Sequence, residues 1–312
     1  MKPKVILGLL KEAFQEWQDD KASRLAAALA YYTVFSLAPL VIIAIAIAGA
    51  VFGEEAARGE IERQIQGLVG SAGAEVIQTA IENANRPDAN GGIASFISVV
   101  VLLFGASGVF AELQDSLNTI WEVQPKPGRG IKGFISKRIL SFSMVLGIGF
   151  LLMVSLIVSA GLSALSTYMS HLIPGVGWLW EILNFVISFG VITLLFGLMY
   201  KFLPDVKITW NDVLIGAIIT ALLFTIGKTV LGMYLGQNFG STYGAAGSLV
   251  VLLAWVYYSA QILFFGAELT QVYASRYGSR IVPNEDAEFV TEEARANQGL
   301  RRKRQRTKSD RF

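Results

Sequence analysis

The sequence predicts an all-α, polytopic integral membrane protein of about six transmembrane helices, and three observations carry that prediction. Of its 312 residues, 53% are hydrophobic and only 16% are charged, whereas roughly 25% of an average soluble domain is charged. The apolar residues also stand in unbroken blocks, such as Leu37 to Phe52 and Leu140 to Leu165, and on the order of 20 such residues carry a helix across a hydrocarbon core of about 30 Å. Finally, Lys and Arg crowd alternate connections between the blocks, the pattern that holds those connections in the cytoplasm. Helices are required because unpaired backbone groups in lipid cost several kcal/mol, and the alternation of a membrane barrel is absent.

Taken from the N-terminus, residues 1–25 read as a cytoplasmic interfacial helix. Val5, Ile6, Leu9, Leu10, Ala13, Phe14 and Trp17 share one face, with Lys2, Lys4 and Lys11 off it, which suits a helix lying at headgroup level. This segment lacks the continuous apolar core and small-residue cleavage site of a signal peptide, so no cleavage is expected. The spans are expected over 26–52, 93–119, 139–163, 181–203, 212–236 and 247–273, a transmembrane domain of 26–273. Within it, residues 53–92 read as an extracytoplasmic amphipathic helical insert, where Ile61, Ile65, Leu68 and Val69 recur at helical spacing among Glu54, Glu55, Glu60 and Glu62. Arg86 to Gly92 ends it as a turn.

Orientation follows from the cations. Lys21 and Arg24, Lys126 to Arg138, Lys201 and Lys207, and the residues after Arg276 form one set, while the opposite set holds only Arg58, Arg63 and Arg86. Six crossings with both termini in the cytoplasm satisfy this, in a bacterial inner (plasma) membrane. The tail, 274–312, is strongly basic from Arg301 to Lys308 and is expected to be disordered. It reads either as a topology signal or as a contact for anions, lipid headgroups or, as the other possibility, nucleic acid.

Charges and helix-breaking residues inside the spans are the candidate translocation or gating groups, since a bilayer tolerates them only at a cost. Lys228 lies roughly 24 Å into the fifth span at about 1.5 Å per residue, with Asn184 and Glu181 at a matching depth. Arg24, Glu112, Asp115 and Glu268 collect near the cytoplasmic face, either as a gate or as an ion-pair network tying helices. Pro39 removes a backbone hydrogen bond within the first span and should kink or open it. Gly232, Gly236, Gly240 and Gly244, followed by Gly247, recur at a spacing that permits close packing and also weakens the helix.

For catalysis the inventory is thin. Cys is absent and His171 is the only histidine, so no metal site, cofactor site or Ser–His arrangement can be assembled, and no phosphate-cradling Gly-Lys motif appears. Membrane lipids are the expected partners, with a lipid or amphipathic solute as substrate or envelope proteins as binding partners. Nucleic acid is not an expected partner.

Several motifs together carry a resemblance. Ala28-Leu29-Ala30-Tyr31-Tyr32 with Phe35-Ser36-Leu37-Ala38-Pro39, Phe104-Gly105-Ala106-Ser107-Gly108 with Leu117-Asn118-Thr119-Ile120-Trp121, Tyr200 to Pro204, Tyr243 to Ser248, Trp255-Val256-Tyr257-Tyr258 and Gly266-Ala267-Glu268-Leu269 are similar to those of the YihY/BrkB inner-membrane family. The resemblance implies six spans. Members once bore the label ribonuclease BN, which the residue inventory contradicts. At the family level it implies envelope biogenesis and lipid or solute export. A transporter or flippase-like permease is the first functional expectation, a non-catalytic assembly factor acting through the 53–92 insert the second, and an enzyme the last.

Overall fold

A computed structural model describes residues 3–55, 57–59, 61–62, 66, 78, 93–127, 143, 177–238, 244–278 and 281–300. Among them the chain is almost wholly helical, as the apolar blocks require. Helix α1 (Pro3–Asp19) is followed by α2 (Ala22–Phe52), α3 (Ile93–Ile120), strand β1 (Val123–Pro125), α4 (Gly177–Phe202), β2 (Val206–Lys207), α5 (Trp210–Asn238), α6 (Gly244–Arg276), β3 (Val282–Pro283), β4 (Ala287–Phe289) and α7 (Glu292–Asn297). Among the described residues four helices are long and apolar enough to cross a membrane, over Ala22–Ile47, Phe185–Phe202, Trp210–Leu231 and Leu249–Arg276. In the first two, only 17% of the most apolar 18-residue stretch is buried within the protein, so much of their apolar surface faces away from the bundle. Helix α5 shows how: Leu214, Ile218, Leu222, Ile226 and Val230, one per turn, form an exposed apolar stripe.

The helices pack in antiparallel pairs. Helix α2 packs on α3 and α6, α5 is sandwiched between α4 and α6, and α1 lies against α6. The main core runs through Leu29, Leu117, Trp121, Phe196, Tyr200, Val213 and Phe264. At the crossing of α5 and α6 the backbones approach closely: a Cβ built on Gly266 would fall 1.8 Å from Thr220 Oγ1, and one on Gly216 would fall 1.7 Å from Thr270 Oγ1. Only glycine fits either position, as small residues do wherever membrane helices meet backbone to backbone.

The ends of helices α2 to α6 fall within about four residues of the ends expected for 26–52, 93–119, 181–203, 212–236 and 247–273, although α3 is not among the four candidate spans. All but Ser143 of the third expected span, 139–163, most of the 53–92 insert, Gly240 and His171 lie outside the described residues. Helix α1 forms as expected. Its Leu9 and Ala13 are buried against Leu269 and Val272 of α6, while Ile6, Leu7 and Phe14 remain exposed. Helix α2 runs through Pro39 without interruption.

The expected disordered tail is corrected over 281–300. Strand β4 pairs antiparallel with β1, and β3 with β2, so the segment after α6 folds back under the loops that end α3 and α4. Composition misled because it measures whether a segment can build its own core, whereas this one borrows partners. Its backbone joins strands already present. Residues 301–312 lie outside the described residues.

Candidate functional site

Most of the well-packed polar groups gather at the end of the bundle that carries α1 and the tail. Here the last turns of α3 carry Gln114 and Asn118, which with Trp121 just past the helix are buried on a face that also holds Leu117. The loop after α4 delivers Asp205 to that face. Its carboxylate accepts hydrogen bonds from Gln114 Nε2 at 3.3 Å and Asn118 Nδ2 at 2.9 Å. In return Asn118 Oδ1 accepts from the Asp205 backbone N–H at 2.8 Å, and Asn284 of the tail donates its N–H to the Asp205 carbonyl. One aspartate thereby ties α3, the α4–α5 connection and the tail.

A second tie joins the elbow between α1 and α2 to α7. Arg295 Nη2 lies 2.5 Å from Asp20 Oδ1, with the two side chains 3% and 0% exposed. Burial opposes the guanidinium charge, yet the Asp20 carboxylate beside it, with Glu122 and Glu16 further off, holds the Arg295 pKa above its ordinary value. Thr291 caps α7 by accepting from Ala294 N–H. The elbow itself turns at Lys21 in the left-handed region, φ 54°. On the other side of α1, Arg276 pairs with Glu12.

Deeper in the bundle, the Tyr200 hydroxyl donates to the Leu263 carbonyl at 2.7 Å and stands 3.0 Å from Thr220 Oγ1. Thr220 and Thr270 turn their hydroxyls back onto the Gly216 and Gly266 carbonyls. This cross-brace binds α4, α5 and α6 where the glycines bring them together.

The sequence-predicted residues fall unevenly around this frame. Glu268 is fully buried in α6. Glu112 is half-buried in α3, and Arg24 and Asp115 are exposed, so the four expected at the inner face are not equivalent. Lys228 is on the exposed surface of α5. Asn184 lies in α4, but its side chain is outside the described residues. Pro39 packs against Gly105 of α3, where an added Cβ would come 3.1 Å from Pro39 Cγ, and Ser36 donates to the Gly105 carbonyl at 2.6 Å. Gly232 and Gly236 continue α5 without a break, and Gly244 and Gly247 begin α6. The tight crossing instead uses Gly216 and Gly266, which sequence spacing did not single out as a pair.

Also missed were Asp20, Asp205 and Arg295. A hydropathy reading sees each as an ordinary charge beyond a span. The available signal was the run Leu117 to Trp121 beside Tyr200 to Pro204, motifs that turn out to meet through Asn118 and Asp205. Among the described residues no three His, Asp or Glu side chains converge as metal ligands do.

The chain's residues 13–290 match the profile of the family described as Virulence factor BrkB. A UPF0761 membrane protein of Pseudoalteromonas translucida is 29% identical over 81% of each chain. A UPF0761 membrane protein of Pseudomonas aeruginosa is 28% identical over 80% of this chain and 59% of its own. Another, of Tolumonas auensis, is 32% identical over 56% of each. The chain thus spans about 59% of the Pseudomonas relatives' length. No solved structure matches it.

Proposed function

The chain belongs to the virulence factor BrkB family of membrane proteins, and from the polar groups buried in its bundle we propose a transporter or flippase-like permease for a lipid or amphipathic envelope molecule. The observation that carries this reading is Glu268. It is fully buried in α6, inside the candidate span Leu249–Arg276. Carboxylates in that setting are expensive, and membrane proteins keep them chiefly where an ion, proton or substrate passes. Gln261 and Gln271 lie two turns before and one turn after it, within reach of the same face. A helix built only to pack would carry apolar residues there.

In this reading Glu268 is the principal group of the path, with Glu112, Asp115 and Arg24 at the same end of the bundle, the one that carries the termini. Pro39 lies at the α2–α3 contact, where its carbonyl partner four residues earlier is released from the helix ladder. Lys228 and Asn184 belong to the far half. This reading takes the termini as cytoplasmic, in a bacterial inner membrane, on the support of the one-sided Lys and Arg pattern. We assign no catalytic residue.

The test is lipid movement in vesicles. Purified chain is reconstituted with a phospholipid bearing a fluorescent acyl chain, and the label accessible to an external quencher is followed with time. The wild type should move label between leaflets, and Glu268→Gln, with an unchanged melting profile, should fall to the protein-free rate. Wild-type vesicles that behave like empty ones would sink the proposal.

A further inference from the structure

At the far end of α2, away from the termini, the chain turns sharply at Gly53, whose φ of 88° is open to glycine and few others. Its N–H caps α2 by donating to the Gly49 carbonyl. The chain then returns along α2 instead of leaving it. A Cβ on Gly49 would lie 3.2 Å from Glu54 Cα, so glycine is what lets the returning turn sit down on the helix. Ala57 is buried, and Ile61 packs with the cluster of Val41, Ile45 and Leu252.

Between the two segments runs an open crevice of about 300 Å³, lined by Ile42, Ile45, Ala46, Gly49 and Ala50 together with Glu54 and Arg58. Three of its properties belong together. The wall is apolar and belongs largely to the candidate span Ala22–Ile47. The rim carries one cation and one anion, spaced by a single helical turn. They do not satisfy each other: among the described residues neither forms an ion pair, and the buried Arg58 Nε has no hydrogen-bond partner. A buried guanidinium N–H without a partner costs free energy, and an anion held at this rim would satisfy it.

We propose that this crevice binds a zwitterionic phospholipid, with its phosphate on Arg58, its ammonium on Glu54 and one acyl chain along Ile42, Ile45 and Ala46. Charge complementarity selects that occupant. An anionic headgroup would satisfy Arg58 and be repelled by Glu54, and an uncharged diacylglycerol would leave both groups unanswered. Arginine suits the phosphate because its planar fork donates two parallel hydrogen bonds. The inference deepens the transport reading by naming a headgroup class, but binding here can hold whether or not lipid crosses.

The test uses the full chain in dodecyl maltoside micelles with an acyl-labelled fluorescent phosphatidylethanolamine, competed by unlabelled phosphatidylethanolamine, phosphatidylglycerol or diacylglycerol. Phosphatidylethanolamine should compete best. Arg58→Gln should weaken binding by about tenfold or more, the loss of a charge-assisted pair, while Arg58→Lys keeps most of it. Glu54→Gln should remove the preference over phosphatidylglycerol, and Ala46→Trp, which fills the crevice, should abolish binding. Arg58→Gln leaves the wall intact, so it remains informative if Ala46→Trp does not fold. Binding unchanged in Arg58→Gln, or equal competition by diacylglycerol, would overturn the proposal. Binding with these preferences in a chain that moves no lipid in vesicles would defeat the transport reading and leave this one standing.

Discussion

Replacing Arg295 with methionine keeps the length and most of the volume of the side chain but leaves the Asp20 carboxylate buried without its guanidinium. Both groups are essentially shielded from water, at 3% and 0% exposure, and 2.5 Å apart. Removing one member of such a pair costs about 3–5 kcal/mol, whereas replacing both with apolar residues is often close to neutral. The pair joins α7 to the α1–α2 elbow, so the loss should fall on docking of the tail and spare the bundle. Hydrogen exchange reads that event directly, since local opening occurs below the free energy of global unfolding. At about 1.4 kcal/mol per decade, amides of β3, β4 and α7 should exchange about 10²–10³-fold faster in Arg295→Met, while α5 and α6 stay unchanged. The double variant Asp20→Leu with Arg295→Met should recover much of the protection, giving a coupling of about 2–3 kcal/mol. If the single variant exchanges within a fewfold of the wild type, or the two substitutions simply add, the ion pair is not what holds the tail.

Three further outcomes follow from the packing. Gly266→Val drives a branched side chain into Thr220 and Tyr200 and should cost at least about 1–3 kcal/mol as overpacking, read as a lowered melting midpoint in detergent; an unchanged midpoint would mean α5 and α6 do not cross as closely as described. Asp205→Ala removes the acceptor for Gln114 and Asn118 and should destabilise by about 1.5–3 kcal/mol, with Asp205→Asn milder because one acceptor oxygen remains; accelerated exchange should appear in β2 and β3 together. Because the chain has no cysteine, single cysteines at Lys126 and Glu55 report orientation without background. In whole cells an impermeant maleimide should label Glu55→Cys and spare Lys126→Cys, and the reverse pattern would invert the topology drawn from the cations.

How far the sequence could be read depended on what each feature measures. Bilayer-length apolar blocks from Ala22, Phe185, Trp210 and Leu249 announce themselves, because lipid exposure demands them over a whole span. Close crossing is harder to read. The run Gly232, Gly236, Gly240 and Gly244 has the regular spacing that draws attention, but the contact that needs glycine pairs Gly216 with Thr270 and Gly266 with Thr220, a reciprocity between two helices that one strand of text does not display. Glu268 was legible as an anomaly because a charge inside an apolar block stands out against its neighbours. Asp205 and Asp20 were not, since a carboxylate just past a helix end is where solvent usually holds one.

The tail carries the same lesson further. Its residues 281–300 have too few apolar side chains for a core, yet they bury Ala287, Arg295 and Leu300 by using surfaces that other segments leave incomplete. Strand β1 offers an open edge just after α3, and Val123, Gln124 and Pro125 take Phe289, Glu288 and Ala287 as partners. Lys126 extends the match, donating its N–H to Asp286 and its Nζ to the Glu285 carbonyl, and Val290 returns an N–H to Glu122. Backbone pairing of this kind is largely indifferent to side chains, so hydropathy carries no trace of it. Once docked, the segment touches the connections after α1, α3 and α4 at a single end of the bundle. Any motion that separates those connections must therefore break the Asp205 and Asp20 ties, which makes the tail the element whose opening should track a change of state in the helices above it.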